Sequence, residues 1–98
     1  MRSIPIDRYV IETLMRDLLS HDKRPSAFVV YLWLWLRTHG DGKARVHQSH
    51  QQLADATGLS KSAVQTAVRI LARRRLVDVK RRSKTATPEY HVRRPWND

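Results

Sequence analysis

Cysteine is absent from this sequence of 98 residues. Its absence excludes a disulfide-stapled scaffold, a zinc site built on thiolates and a cysteine nucleophile. Glycine and proline are also scarce, at 3 and 4 residues, so the composition does not indicate a low-complexity or disordered chain. With 41% hydrophobic residues, the chain has enough apolar side chains to form a packed core.

Long hydrophobic runs are missing as well. The longest uninterrupted apolar stretch covers residues 27–36, ten residues where a membrane-spanning helix needs about 20. We therefore expect no membrane contact. The length fits one domain, since domains typically hold roughly 100 to 150 residues, and no internal repeat divides the chain. The sequence predicts a single domain over residues 1–98.

Acidic residues are the other shortage. The sequence has 9 Asp and Glu against 19 Lys and Arg, which gives a formal net charge of +10. The excess is uneven, because residues 1–49 hold 8 basic and 5 acidic residues whereas residues 50–98 hold 11 and 4. Such an excess favours a polyanionic partner, and a nucleic acid is expected to meet the C-terminal half.

Two helices are predicted in the first forty residues. Residues 1–24 combine an early proline with apolar residues at every fourth position, which indicates an amphipathic helix to about Leu19 and a polar connector. Residues 25–40 begin with proline and end at Gly40, and their stretch 27–36 is apolar on every face. A small domain has little surface to cover such a helix, so part of it is expected to contact a second chain. The stripe of the first helix consists of Ile6, Val10, Leu14 and Leu18.

A pair of helices is predicted over residues 49–75. Ser49 and Gln52 have the spacing of a capping box, at the start of a short helix that ends at Gly58. Ser60 caps a further helix to about Arg74. On a helical wheel, the apolar and polar residues of this second helix form nearly opposite stripes. The apolar stripe comprises Val64, Ala67, Val68 and Leu71, and the polar stripe comprises Ser62, Gln65, Thr66, Arg69 and Arg73.

Short β-prone segments flank this helix pair. Asp41 and Gly42 indicate a turn, followed by a short strand at residues 43–46. Residues 76–93 predict a hairpin whose strands are joined by a basic loop. That loop contains no glycine, so a tight two-residue turn is not expected. The basic residues in and beside it are Lys80, Arg81, Arg82 and Lys84.

The sequence LADATGLSKSAVQTAVRIL at residues 53–71, continued by RRRLV at residues 73–77, resembles the helix-turn-helix of winged-helix regulators of the GntR type. It is also similar to helix-turn-helix domains of plasmid and phage replication proteins. Small Ala54 lets two helices cross closely, Gly58 permits a left-handed turn, and Ser60 caps the second helix. Arg75 departs from the pattern, because the family commonly has glycine there. Either a strained left-handed cap or a different helix ending is expected at this position.

This resemblance implies a mainly α fold with a small β-hairpin, that is, a winged helix-turn-helix with an extra N-terminal helix. It also implies that the second helix of the motif enters the major groove of double-stranded DNA while the basic wing lies on the backbone or in the minor groove. Gln suits adenine and Arg suits guanine in such a groove. The candidate DNA-binding residues are Ser60, Lys61, Ser62, Gln65, Thr66, Arg69, Arg73, Lys80, Arg81, Arg82 and Lys84.

Transcriptional regulation by a homodimer, joined through its N-terminal helices, is the leading expectation for this surface. An accessory role in plasmid or phage replication, partition or conjugation would use the same surface, and it stays open. A winged-helix adaptor that assembles proteins is the alternative from a different class. Because no signal-peptide pattern is present, we expect a cytoplasmic, nucleoid-associated protein.

Sequence signatures of catalysis are also missing. No glycine-rich phosphate loop, spaced carboxylate pair or nucleophile motif is present, so an enzyme is not expected. His47 and His50 are three residues apart, but no cysteine or carboxylate pattern accompanies them, and we expect no metal site. Neither a cofactor nor a small-molecule ligand is predicted.

Overall fold

The computed structural model describes residues 1–97 and consists of helices packed with a small sheet. Residues 8–21 form the N-terminal helical segment, in which the stretches Val10–Leu14 and Asp17–His21 are π-helical. The other helices are α1 at Pro25–Trp35, its π-helical extension at Leu36–Gly40, α2 at His50–Thr57, α3 at Lys61–Arg73 and a 3-10 turn at Pro95–Asn97. The strands are β1 at Val46–His47, β2 at Val77–Lys80 and β3 at Glu89–Val92.

The fold is α+β, as predicted, but its antiparallel sheet has a strand in addition to the hairpin. Strand β3 lies between β1 and β2. Strand β1 begins later than the expected strand at residues 43–46, because its pairing with β3 starts where Val46 faces Tyr90. Just beyond β1, the Gln48 N–H donates to the Pro88 carbonyl at 3.2 Å. This bond fixes the end of the β2–β3 loop, residues 81–88, to the segment that leads into α2.

The N-terminal helical segment differs from its prediction at both ends. It begins at Arg8 and continues to His21, so Ile6 precedes the helix and stays 38% exposed. The Trp35 indole donates to the Pro5 carbonyl at 3.0 Å, which holds this stretch on α1. The other three members of the predicted stripe, at positions 10, 14 and 18, are buried. Their spacing of four suits the wider π-helical turn, in which hydrogen bonds join residues five apart.

Helix α1 lies at the centre of the fold and contacts the N-terminal helical segment, α2, α3 and β3. The sequence predicts that the apolar run at residues 27–36 needs cover from a second chain. In the structure, however, most of this run is buried within the chain itself. Val29 stays 37% exposed, so this helix alone gives little reason to invoke a partner. The buried members of the run are Ala27, Phe28, Val30, Tyr31, Leu34 and Trp35.

The ends of α2 and α3 follow the predicted capping pattern. Ser49 and Gln52 form the complete capping box, since the Ser49 hydroxyl accepts from the Gln52 N–H and the Gln52 side chain accepts from the Ser49 N–H. Gly58 ends α2 at φ +80°, a left-handed conformation that glycine adopts without a Cβ clash. Ser60 caps α3 by accepting from the Ala63 N–H at 3.1 Å. These side chains define the angle at which α2 turns into α3.

Arg75 takes the left-handed conformation at the end of α3, with φ +57°. The Leu76 N–H bonds to the Leu71 carbonyl at 2.9 Å, and the Arg75 N–H bonds to the Ala72 carbonyl at 3.0 Å. This pair of bonds is a Schellman motif, which usually carries glycine at the left-handed position. Of the two endings expected at this position, the structure shows the left-handed cap, with a strained arginine in place of glycine.

The residues after β3 pack against the start of the chain. The ring of Trp96 stacks on Tyr9 at 4.6 Å between centroids, and its indole N–H donates to Asp7 Oδ2 at 3.0 Å. Arg94 reaches the same carboxylate oxygen at 3.5 Å. Among residues 1–97, no helix is long and apolar enough to cross a membrane.

Candidate nucleic-acid interface

Helix α3 presents one polar face because its apolar face is held in the core. The inward residues Val64, Ala67 and Leu71 are fully buried, and Val68 is 8% exposed. This burial fixes the rotation of the helix, so the opposite side chains face solvent. Of the predicted polar stripe, Ser62, Gln65, Arg69 and Arg73 are exposed and Thr66 is half-buried, while Ser60 and Lys61 are exposed at the start of the helix.

Contacts along this face are few and local. The Ser60 and Ser62 hydroxyls lie 3.2 Å apart, and Arg69 Nη2 donates to Thr66 Oγ1 at 3.3 Å. Within the described part of the chain, the side chains of Gln65 and Arg73 make no hydrogen bond. These donors and acceptors are therefore available to an external ligand, as base-edge recognition requires.

The last residue of β2 and the β2–β3 loop carry the second group of predicted residues. Lys80, Arg81, Arg82 and Lys84 are all exposed, so the basic side chains project from the loop. Arg81 Nη1 donates to the Lys84 carbonyl at 3.3 Å, and the Ala86 N–H donates to the Ser83 carbonyl at 3.2 Å. These bonds fold the loop back on itself although it lacks glycine.

Arg81 connects the loop to the helix pair. Its Nη2 lies 3.3 Å from Nε2 of His50, the first residue of α2. Partial burial, followed by the nearby positive charges of Arg81 and Lys61, lowers the pKa of His50. The imidazole therefore stays neutral near pH 7 and accepts the Arg81 hydrogen bond through Nε2. This contact brings the loop, the start of α2 and the start of α3 to one place on the surface.

The contact of His50 with Arg81 is not predicted by the sequence, in which His50 stands out only for its spacing of three from His47. In the structure His47 lies 3.7 Å from Glu89, whereas His50 bonds Arg81. No group of three or more potential metal-ligating side chains occurs within residues 1–97. The local sequence holds no signal for the His50 contact, since its partner is 31 positions away.

Ion pairing leaves the predicted surface with an unbalanced charge. Within residues 1–97, every ion-paired carboxylate pairs with a basic side chain that lies outside the α3 face and the β2–β3 loop. Seven cations of the predicted set therefore have no carboxylate partner among residues 1–97, which creates a positive potential suited to a polyanion. The pairs with arginine are Arg8–Glu12, Arg37–Asp41, Arg74–Asp22, Arg93–Asp78 and Arg94–Asp7.

Comparison of the chain with protein-family models, with curated protein sequences and with solved structures finds no match. The inference of function accordingly rests on the residues, their geometry and their charge.

Proposed function

We propose that this chain is a sequence-specific double-stranded DNA-binding protein of the winged helix-turn-helix type, acting as a transcriptional regulator. In this proposal α2 and α3 are the helix-turn-helix and the β2–β3 loop is the wing. The observation that carries it is the set of exposed cations on α3 and the loop, which no carboxylate within residues 1–97 neutralises and which the Arg81–His50 contact joins into one surface. A cytoplasmic, nucleoid-associated location follows from this proposal.

The dimensions of α3 suit the major groove. Its 13 residues span about 20 Å, and a helix with side chains is roughly 10 to 12 Å wide, close to the width of about 12 Å of that groove. Gln65 and Arg69 are four positions apart and point to the same side, so both can reach base edges. The loop cations then face the flanking backbone or the adjacent minor groove.

The protein is proposed to bind DNA as a homodimer through the outer face of the N-terminal helical segment. Ile11 and Leu19 are 46% and 42% exposed, and half-buried Met15 lies midway between them. Because these residues are evenly spaced, an antiparallel second copy would place each Ile11 against the Leu19 of its partner. Glu12 and Arg16 border this row with opposite charges, and they approach each other across the same antiparallel contact.

Selection of bound duplexes from a random pool at about 150 mM salt tests the proposed function. Enrichment of a palindromic sequence supports a dimeric regulator, because two-fold protein symmetry requires two-fold site symmetry. Direct repeats would instead indicate an accessory role in plasmid or phage replication, partition or conjugation. No enrichment and no salt-dependent duplex binding would contradict the proposal and favour a protein-binding adaptor.

A further inference from the structure

We propose that His50, Lys61 and Arg81 together hold one phosphate of the DNA backbone, and that His50 takes up a proton when this phosphate binds. The proposal rests on the proposed function and adds a specific anion site to it. It also assigns a role to a residue outside the candidate set derived from the sequence.

The three residues lie on separate elements, and Arg81 Nη2 is 3.3 Å from His50 Nε2, while the positive charge of Lys61 is near enough to lower the pKa of His50. His50 is the first residue of α2, Lys61 is the first residue of α3, and Arg81 begins the β2–β3 loop. The Arg81 guanidinium is directed by two contacts, one to the Lys84 carbonyl and one to His50 Nε2 at 3.3 Å. An oxygen anion beside Nε2 would thus meet a guanidinium that is already oriented, which favours charge-assisted hydrogen bonding.

Charge at this point is not balanced within the described chain. The charged groups that lower the pKa of His50 are Arg81 from the loop and Lys61 from α3, and both are positive. Of the carboxylates on neighbouring elements, Asp55 accepts a hydrogen bond from Gln51 and Glu89 lies beside His47. An anion is therefore the missing partner of this cluster.

A bound phosphate reverses the preference of the imidazole. In the free protein, the two cations and partial burial keep the pKa of His50 below its ordinary value. A phosphate oxygen placed between the two groups neutralises the cations and replaces the Arg81–His50 hydrogen bond, because it accepts from Arg81 and from a protonated Nε2, so it raises the pKa of His50 in the complex. Because the complex then holds more protons than the free protein, affinity must increase as the pH falls through the pKa of the complex. Each unit of difference between the two pKa values contributes at most about tenfold in affinity.

The decisive experiment measures the affinity for a duplex of fixed sequence between about pH 5 and pH 8, at constant ionic strength, for the native chain and for His50→Gln. We expect the native chain to bind about tenfold more tightly at the acid end than at the alkaline end, with most of this gain absent in His50→Gln. His21→Gln serves as the matched control, because His21 is exposed and lies beside Asp22, not beside Arg81. That control should retain the gain.

A titration of the imidazole by NMR, with and without the duplex, gives an independent measurement. We expect the pKa of His50 to rise when DNA binds. The phosphate site would be overturned if the native chain and His50→Gln showed the same pH dependence, or if DNA left the pKa of His50 unchanged or lowered it. Duplex binding would remain in either case, so the proposed function would still stand. Weaker binding at acid pH would also overturn the phosphate site, because it would show that the charged imidazole expels Arg81. Absence of duplex binding at every pH would reject both proposals.

Discussion

Asp22 and Arg74 end two different helices and are joined by a contact of 2.7 Å between Asp22 Oδ2 and Arg74 Nη1. In each case the following residue, Lys23 or Arg75, turns the chain away in the left-handed conformation, at φ +53° and +57°. The Asp22 side chain is 11% exposed and that of Arg74 is 33% exposed, so solvent screens this pair less than the pairs on the open surface. The end of the N-terminal helical segment is thereby anchored to the end of α3.

Asp22→Asn should lower the free energy of unfolding by about 1 kcal/mol, because a partly buried guanidinium loses its carboxylate partner. Urea denaturation provides the measurement. The control is Asp78→Asn, which breaks the Arg93–Asp78 pair, whose side chains are 42% and 45% exposed and which lies outside the proposed dimer contact. We expect that variant to lose less than about 0.5 kcal/mol. Equal losses in both variants would contradict a special role for the Asp22–Arg74 contact.

Arg69→Ala and Gln65→Ala should relax sequence preference, since both side chains lie on the exposed face of α3. A good bidentate base contact contributes about 1 to 3 kcal/mol of discrimination. Lys84→Ala should weaken binding to preferred and scrambled duplexes alike and should reduce the salt slope by about one unit. Titrations of both duplexes over a salt series separate these effects. An equal loss on the two duplexes for Arg69→Ala would reject base contact by α3.

Arg75→Gly should raise the free energy of unfolding by up to about 1 kcal/mol, because glycine adopts the left-handed conformation without a Cβ clash. Arg73→Gly removes the same charge two positions earlier, where the backbone is helical, and should lower the free energy of unfolding by about 1 kcal/mol. Thermal and urea unfolding of the pair would show opposite shifts. Destabilisation by both changes would mean that the Arg75 side chain has a stabilising contact that outweighs the strain.

Tyr90→Phe should leave the free energy of unfolding unchanged or raise it by about 1 kcal/mol. The Tyr90 hydroxyl is buried and has no hydrogen-bond partner within residues 1–97, and burial raises its pKa to about 12. Tyr31→Phe is the comparison, because the Tyr31 hydroxyl donates to the Arg93 carbonyl at 2.9 Å. Losing that bond should cost about 1 kcal/mol in urea unfolding. Similar losses at both positions would reveal a partner of Tyr90, such as an internal water.

Leu19→Glu should shift the protein towards a monomer, because a carboxylate in the Ile11–Met15–Leu19 row would oppose the apolar side chain of a second copy. Sedimentation equilibrium at micromolar concentration measures the change. Ala44→Glu adds the same charge at an exposed position away from the N-terminal helical segment, and it should leave association unaltered. A monomeric native chain of 11.5 kDa at these concentrations would rule out the proposed dimer.

Local signals in the sequence were sufficient for the helix pair. Ser49, Gln52, Gly58 and Ser60 act within a few residues of themselves, and the structure confirms the helix ends that they predict. The polar stripe of α3 could be predicted equally well, because the periodicity of one helix determines which of its residues share a face. Arg75 left two helix endings open in the sequence, and the Schellman bonds next to it show that the left-handed cap is the one formed.

Contacts between distant segments could not be predicted in this way. The cover on α1 depends on how the N-terminal helical segment and α3 pack against it, and composition alone suggested that the chain lacked enough cover. The Arg81–His50 contact and the pairing of Val46 with Tyr90 join residues far apart in the chain. Neither is marked by a local motif, so the candidate interface gained a residue that the sequence stripe and the basic loop had not indicated.

The bond from the Trp96 indole to Asp7 spans 89 positions of the chain and sets an order of events during synthesis. The turns around Asp7 are translated first, yet they receive their stacking and hydrogen-bond partners only after residues 94–96 have left the ribosome. Residues 49–75 emerge earlier, and their caps are local to the helix pair. On a ribosome, the helix pair can therefore form before the start of the N-terminal helical segment is held in place.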